Sequence, residues 1–108
     1  MSKPRKPKPA YQADAVFKAL GHPARVTIIR ELSAGECCVC DLVEAVGLGW
    51  STVSRHLSVL RDAGVILDEK RGVQVFYRLQ LPCVSRFIAC LDQPSAFPDL
   101  MTEGCGCK

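Results

Sequence analysis

Residues 50–62 read WSTVSRHLSVLRD, and this stretch decides the fold. At about 100° per residue around a helix axis, Val53, Leu57 and Leu60 fall on one face. The opposite face carries the polar residues Ser51, Ser54, Arg55 and Ser58, with Thr52 at its edge. Taken alone, the pattern is equally typical of an ordinary amphipathic surface helix. Its meaning therefore depends on the segments on either side.

The segment before this stretch predicts a short helix from about residue 40 to residue 46. Asp41 and Glu44 form a D-x-x-E start signal that resembles a capping box. Gly47 then ends the helix, and Gly49 opens the longer one. A short helix, a tight glycine-containing turn and a second helix are typical of a helix-turn-helix.

The segment after it changes from helical to alternating periodicity. Every second residue from Val73 to Leu79 belongs to one face, and Gln74, Phe76 and Arg78 lie between them. Residues 65–67 form an opposing apolar strand. A charged turn with glycine lies between them at residues 68–72, which indicates a β-hairpin. A hairpin directly after a helix-turn-helix is a wing.

The remaining segments complete a single domain over residues 10–91. An apolar i, i+3, i+4, i+7 pattern begins at Ala13, Gly21 ends this first helix, and Pro23 begins the next. A last helix runs from Pro82 to Leu91. The predicted fold class is mainly α with a small β-hairpin wing, a winged helix-turn-helix. Residues 1–9 are expected to be a basic, proline-rich flexible arm, and residues 92–108 a flexible tail with a Cys-Gly-Cys.

Size and composition narrow the class of protein. A chain of 108 residues fits one domain, and 48% hydrophobic residues is too many for a disordered chain. No apolar run approaches the roughly 20 residues that span a membrane. The basic N-terminus lacks the apolar region of a secretory signal. We therefore expect a cytoplasmic protein with no membrane segment, and a domain this small often dimerises to bury surplus apolar surface.

The polar face of the 50–62 helix and the wing tip supply the expected DNA contacts. Hydroxyls bind phosphates or base edges, and arginine binds guanine or phosphate. The candidate DNA-binding residues are Ser51, Thr52, Ser54, Arg55, His56, Ser58, Lys70 and Arg71. Because His56 lies nearer the buried side than Arg55, a structural histidine remains an open alternative. For Lys70 and Arg71 the alternative is an ordinary solvated turn.

Seven cysteines in a chain without a secretory signal favour metal or redox chemistry over a disulfide scaffold. Cys37, Cys38 and Cys40 cluster at the start of the short predicted helix, where the helix N-terminus favours thiolates. Cys105 and Cys107 form the tail pair. Cys83 and Cys90, on the last helix, are expected to pack in the core or a dimer interface.

Five stretches together resemble one known family. They are Gly21–Arg25, Glu36–Leu42, Ser51–Leu57, Leu60–Gly64 and Phe76–Leu79, and they look like the arsenical-resistance repressor family (ArsR/SmtB). The resemblance covers roughly residues 12–91. It implies a homodimer, formed through the first and last helices, that represses a resistance operon on double-stranded operator DNA. It also implies release from that operator when a thiophilic ion binds, with no enzyme activity and no organic cofactor.

The resemblance assigns As(III) or Sb(III), as inducer, to Cys38 and Cys40, because soft ions prefer thiolates. The third cysteine of some family members corresponds here to Val43. Cys37 is the first candidate for a third sulfur, followed by Cys105 and Cys107. A two-sulfur site with a solvent or small-thiol ligand is also open. In one regular helix, Cys38 and Cys40 lie about 200° apart, so we expect ion binding to unwind the first turn.

Other functions stay open from the sequence. One alternative is a repressor of the same fold that responds to thiol oxidation or to persulfide. In it, a pair such as Cys37–Cys38 or Cys38–Cys90 forms a disulfide or persulfide. A Cd(II) or Pb(II) sensor is also open: the relatives that sense these ions add cysteines from the N-terminal arm, and the absence of cysteine from residues 1–36 weighs against it. The zinc site of some relatives is disfavoured because the last helix lacks the Asp and His ligands they use. An arsenical reductase or thiol transferase is disfavoured because the sequence lacks the motifs expected of such enzymes. A cytosolic metal buffer is a further alternative, and it would differ from a repressor in having no affinity for DNA.

Overall fold

The computed structural model describes residues 11–93. The predicted arm at residues 1–9 and the tail Cys-Gly-Cys lie outside it. The elements in chain order are α1 (Ala13–Leu20), α2 (Pro23–Ser33), β1 (Cys37–Cys38), α3 (Val39–Val46), α4 (Trp50–Asp62), β2 (Ile66–Arg71), β3 (Gln74–Leu79) and α5 (Pro82–Asp92). The predicted winged helix-turn-helix is confirmed.

Two glycines shape the ends of the helix-turn-helix. Gly47 has φ +79° and ends α3, and Gly64 has φ +84° beyond the end of α4. Both lie in the left-handed region, which glycine enters without steric cost. At Gly64 an added Cβ would also lie 2.5 Å from the ring of Tyr11. These two positions therefore fix where each helix ends.

The wing is longer than the sequence predicted. Strand β2 continues to Arg71 and β3 begins at Gln74, so the turn consists of Gly72 and Val73 instead of residues 68–72. The prediction that Lys70 and Arg71 sit in the turn is therefore wrong. Charged residues continue β2 because its pairing with β3 supplies the backbone hydrogen bonds, which a local pattern of side chains does not reveal.

A third strand lies beside the wing. The two-residue strand β1 pairs antiparallel with β3, with Cys37 opposite Tyr77 and Cys38 opposite Phe76, which gives the strand order β1-β3-β2. Two residues are too short for a period-two pattern, so the sequence did not predict this strand.

The start of α3 also differs from the prediction. The helix begins at Val39, its N-cap is Cys38, and no side chain caps it. Asp41 therefore lies in the first turn and not at the N-cap, and the predicted capping box is wrong. The carboxylate of Asp41 still lies near the positive end of the helix dipole, where a negative charge is favourable.

The core surrounds α2 and joins the helix-turn-helix to the wing. Its largest fully buried side chains are Ile28, Ile29, Leu42, Val53, Leu57, Leu60, Val65 and Ile66. The predicted buried face of α4 is thus confirmed. Arg30 on α2 donates two hydrogen bonds to the carboxylate of Asp92 and ties α5 to this core. None of the helices within residues 11–93 is long and apolar enough to cross a membrane.

Candidate nucleic-acid interface and thiol site

The outer face of α4 carries short polar side chains and one guanidinium. Ser51, Thr52, Ser54 and Arg55 are exposed, and Ser58 is half-buried. These residues occupy the N-terminal two turns of the second helix of the motif, which is the part that reaches base edges in helix-turn-helix proteins. The structure therefore brings most of the predicted helix contacts onto one accessible surface.

His56 is the exception on this helix, because its side chain is buried at 8% exposure. The Nε–H of Arg25 donates to its Nδ1 at 3.1 Å, and the ring of His22 lies 4.4 Å away, centroid to centroid. Burial, then His22, Arg25 and Arg55, lower the pKa of His56. This placement favours the structural alternative over a DNA contact.

The two predicted wing cations differ in their surroundings. Lys70 and Arg71 are both exposed, but the guanidinium of Arg71 is already engaged. It donates to both carboxylate oxygens of Glu36, at 3.0 and 2.6 Å, and to Glu69 at 2.9 Å. The hydrogen bond from Arg71 lowers the pKa of Glu69. Arg71 must therefore give up carboxylate contacts before it binds a phosphate.

The thiol site lies where β1 passes into α3. The Sγ atoms of Cys38 and Cys40 are in direct contact, paired as a disulfide, with their Cα atoms 5.4 Å apart. Cys38 has extended backbone dihedrals, so the two residues do not share a regular helix. The expectation that their sulfurs meet only after the first turn unwinds is therefore wrong. The strand-to-helix junction itself turns both side chains to one side.

The carboxylate of Asp41 completes a cluster with this pair. Its oxygen and the two sulfurs lie within 4.8 Å of one another, the only such group of three among residues 11–93. Cys38 is buried, whereas Cys40 and Asp41 are exposed. When reduced, the two thiols suit a soft ion, and the exposed side leaves room for a third ligand.

Cys37 does not join this cluster. Successive residues of a strand point to opposite faces, and the thiol of Cys37 donates to the backbone carbonyls of Glu31 and Gly35, at 3.7 and 3.6 Å. Burial raises its pKa, as do the charges of Asp41, Glu31 and Glu36. Cys37 is therefore not placed to be the third sulfur, and Cys105 and Cys107 lie outside the described residues.

Comparison with known proteins places this geometry in a family. The model of "Bacterial regulatory protein, arsR family" matches residues 22–67, the helix-turn-helix and the start of the wing. An "Arsenical resistance operon repressor" of Staphylococcus xylosus is 30% identical over 97 residues, which cover 90% of this chain and 89% of that protein. The chain belongs to the arsR family of bacterial regulatory proteins.

Other relatives have a higher sequence identity over a shorter matched stretch. The "Arsenical resistance operon repressor" of Escherichia coli K12 is 46% identical over 65 residues, 59% of this chain and 56% of that protein. The "HTH-type transcriptional repressor SmtB" of Mycobacterium tuberculosis H37Rv is 39% identical over 67 residues, 62% of this chain and 50% of that protein. The chain thus spans about half the length of these relatives.

Solved structures agree with the arsR-family fold. The transcriptional repressor BigR from Xylella fastidiosa superposes with a TM-score of 0.69 at 32% identity, covering 73% of this chain and 81% of that one. The homodimeric winged helix-turn-helix domain of Mb0332 from Mycobacterium bovis gives 0.68 at 27% identity, covering 84% and 82%. The predicted family membership is confirmed.

Sequence reasoning missed three features of this arsR-family site. Asp41 was read as a cap instead of a cluster member, and Glu36 was not recognised as a partner of Arg71. Trp50, the only tryptophan in the chain, is 57% exposed at the first residue of α4. The sequence showed only that a tryptophan begins the predicted helix, and its exposure is a finding of the structure.

The lowered pKa of His56 predicts a pH-dependent stability. Because the folded state disfavours protonation of His56, its free energy of unfolding should decrease as the pH falls below the ordinary histidine pKa of about 6.5. Thermal unfolding between pH 8 and pH 5 measures this at fixed protein concentration. His56→Gln should reduce the slope, whereas His22→Gln should keep part of it, because burial, the largest cause, remains. An unchanged slope in His56→Gln would contradict the prediction.

Proposed function

We propose that this arsR-family chain is a homodimeric transcriptional repressor that leaves its operator when As(III) or Sb(III) binds Cys38 and Cys40. The observation that carries the proposal is the meeting of the two cysteine sulfurs, thiols when reduced, at the N-terminus of α3, the first helix of the helix-turn-helix. The relatives named arsenical resistance operon repressors support it. A regulator that binds DNA acts where the DNA is, so we place it in the cytoplasm.

The DNA-binding surface in this proposal is the outer face of α4 together with the wing. Ser51, Thr52, Ser54 and Arg55 enter the major groove, with Ser58 at the edge of the contact. Lys70 reaches a phosphate from the wing, whereas the guanidinium of Arg71 stays paired with its carboxylates. His56 is left out because it is buried.

The homodimer in this proposal forms through α1 and α5. Phe17 and Phe87 pack edge to face, with ring centroids 6.2 Å apart, yet they remain 60% and 49% exposed. Leu91 on the same terminal helix is 66% exposed. A surface of large apolar side chains on two neighbouring helices is typical of a protein interface. A two-fold dimer would present two α4 helices to successive major grooves.

The inducer site consists of the reduced thiols of Cys38 and Cys40, with the third ligand supplied by solvent or a small thiol. Leu42, in the same helix, is fully buried against the core that also holds α4. A shift of the α3 N-terminus on ion binding therefore acts on the seating of α4. We propose that this shift moves the two recognition helices out of register with the DNA.

The proposal is tested by an operator-release titration on the full chain. The probe is the duplex that the protein selects from a random-sequence library, followed by fluorescence anisotropy under reducing conditions. Arsenite and antimonite should release this selected duplex, whereas zinc should not. Retention of the duplex at saturating arsenite would refute the metalloid-responsive function, and release by cadmium alone would indicate the Cd(II)/Pb(II) alternative.

Arg55 offers a test of the DNA surface. Arg55→Gln should weaken binding of the selected duplex by about 5-fold to 150-fold, the range for loss of one good arginine contact to a base. Anisotropy titrations at several salt concentrations measure it. Arg30→Gln removes the same charge from a residue that lies off the α4 face and pairs with Asp92. Sedimentation first checks that this variant is still dimeric, and its affinity should then stay within about twofold of wild type. Equal losses in both variants would contradict the assignment of the α4 face.

A second candidate function is favoured by the pairing of Cys38 with Cys40 as a disulfide. In it, hydrogen peroxide oxidises the two thiols to this disulfide and is itself reduced to two molecules of water. The trigger pair then differs from those proposed from the sequence, Cys37–Cys38 and Cys38–Cys90. Release of the selected duplex by hydrogen peroxide but not by arsenite would favour this function.

A further inference from the structure

One face of the three-stranded sheet carries both a thiol of the inducer site and the charged residues of the wing. Side chains alternate along a strand and align across paired strands. The register places Cys38 of β1 beside Phe76 of β3, and Phe76 beside Glu69 of β2. Arg71 lies two residues beyond Glu69 and so on the same face. Cys37 points to the opposite face, toward the core.

The side chain of Arg71 crosses this face from the outer strand of the wing to the segment before β1. Its guanidinium lies 4.7 Å from the centroid of the Phe76 ring and donates two hydrogen bonds to Glu36. Glu36 precedes the β1 cysteines directly. The planar fork of arginine fits a carboxylate with two parallel hydrogen bonds, a geometry that lysine does not reproduce.

The contact with Glu69 is different in kind. Glu69 lies on β2, the same strand as Arg71, so this ion pair does not connect strands β2 and β1. The Glu36–Arg71 pair does connect them, across β3 and over the ring that lies beside Cys38. Among residues 11–93, the Glu36–Arg71 pair is the ion pair that joins the wing to the segment carrying the thiol site.

We infer that Glu36 is a positioning residue that transmits the state of the Cys38–Cys40 site to the wing through Arg71. The inference rests on the proposed function and adds a second route to the one through α3 and α4. When an ion binds the thiols and the backbone of β1 shifts, Glu36 shifts with it. Arg71 and the end of the wing follow, because the bidentate pair fixes their geometry.

The test measures coupling, defined as the ratio of the dissociation constants of the selected duplex with saturating arsenite and without it. Glu36→Gln keeps the size of the side chain but removes the charge-assisted pair. It should lower this ratio by about 3-fold to 5-fold, the upper end of what one exposed ion pair contributes. Arg71→Lys should lower it as well, because a lysine at this site keeps the charge but loses the fork. Calorimetry with arsenite should show ion binding unchanged in Glu36→Gln.

Glu69→Gln is the matched control, because it removes a carboxylate from the same guanidinium without breaking the link to β1. Its coupling ratio should remain within about twofold of wild type. A wild-type ratio in Glu36→Gln, or an equal loss in Glu69→Gln, would overturn the inference. Failure of the wild-type protein to release the duplex would instead refute the proposed function, so the two failures are distinct.

Discussion

Serine in place of Cys38 or of Cys40 should abolish release of the selected duplex by arsenite. We expect the arsenite concentration for half-release to rise at least about 100-fold, since an oxygen ligand binds a soft ion poorly and the second thiolate no longer acts in the same molecule. Binding of the duplex without arsenite should change little, because neither sulfur lies on the outer face of α4. Anisotropy titrations under reducing conditions measure both quantities.

Cys37→Ser is the matched control for these two variants. It makes the same chemical change one residue away, on the opposite face of β1, where the thiol bonds to carbonyls instead of joining the cluster. Its response to arsenite should be that of the wild-type protein. Loss of the response in Cys37→Ser would show that Cys37 rotates into the site and would contradict the two-sulfur arrangement.

A truncation before Cys105 tests whether the third ligand of the ion is a tail sulfur or a solvent or small-thiol ligand. If the tail supplies the third sulfur, the truncated chain should need more arsenite than wild type, although Cys38 and Cys40 are intact. If solvent or a small thiol supplies it, the truncated chain should respond as the full chain does. We expect the second result, because the exposed side of the Cys40–Asp41 cluster is open to a small ligand.

Glutamate in place of Phe17 or Phe87 should disrupt the proposed homodimer. Each substitution occurs twice across a two-fold interface, and the burial of an aromatic anchor is replaced by the burial of a charge. Truncation of such anchors costs about 2 kcal/mol or more per site. We therefore expect the dimer dissociation constant to rise at least about 1,000-fold, which is about 4 kcal/mol. Sedimentation over a range of protein concentrations measures it.

Loss of the dimer should also weaken DNA binding, because two half-sites bound together gain affinity that separate protomers lack. Val73→Glu is the control for the mutation type: Val73 is 97% exposed at the turn of the wing and away from α1 and α5. This control should sediment as wild type. A Phe17→Glu protein that stays dimeric, with unchanged circular dichroism, would place the interface elsewhere.

The sequence by itself determined the order of the elements and the buried face of α4. Period-3.6 and period-two patterns are local, so Val53, Leu57 and Leu60 could be assigned to the core without any knowledge of their partners. The glycines that end the helices are local signals too. The motif around Cys38 and Cys40 was likewise present in the sequence, together with its resemblance to the family.

Only the tertiary structure decided which groups meet. Strand β1 exists because it pairs with β3, some forty residues later in the chain, and that pairing sends Cys37 to one face and Cys38 to the other. The same fold brings Arg25 to His56, which buries a histidine that the helix pattern left undecided. It also brings Arg71 to Glu36. Such contacts join residues far apart in sequence, and no local periodicity encodes them. The physical reason is that strand pairing and core packing determine where these side chains point, whereas helix propensity does not.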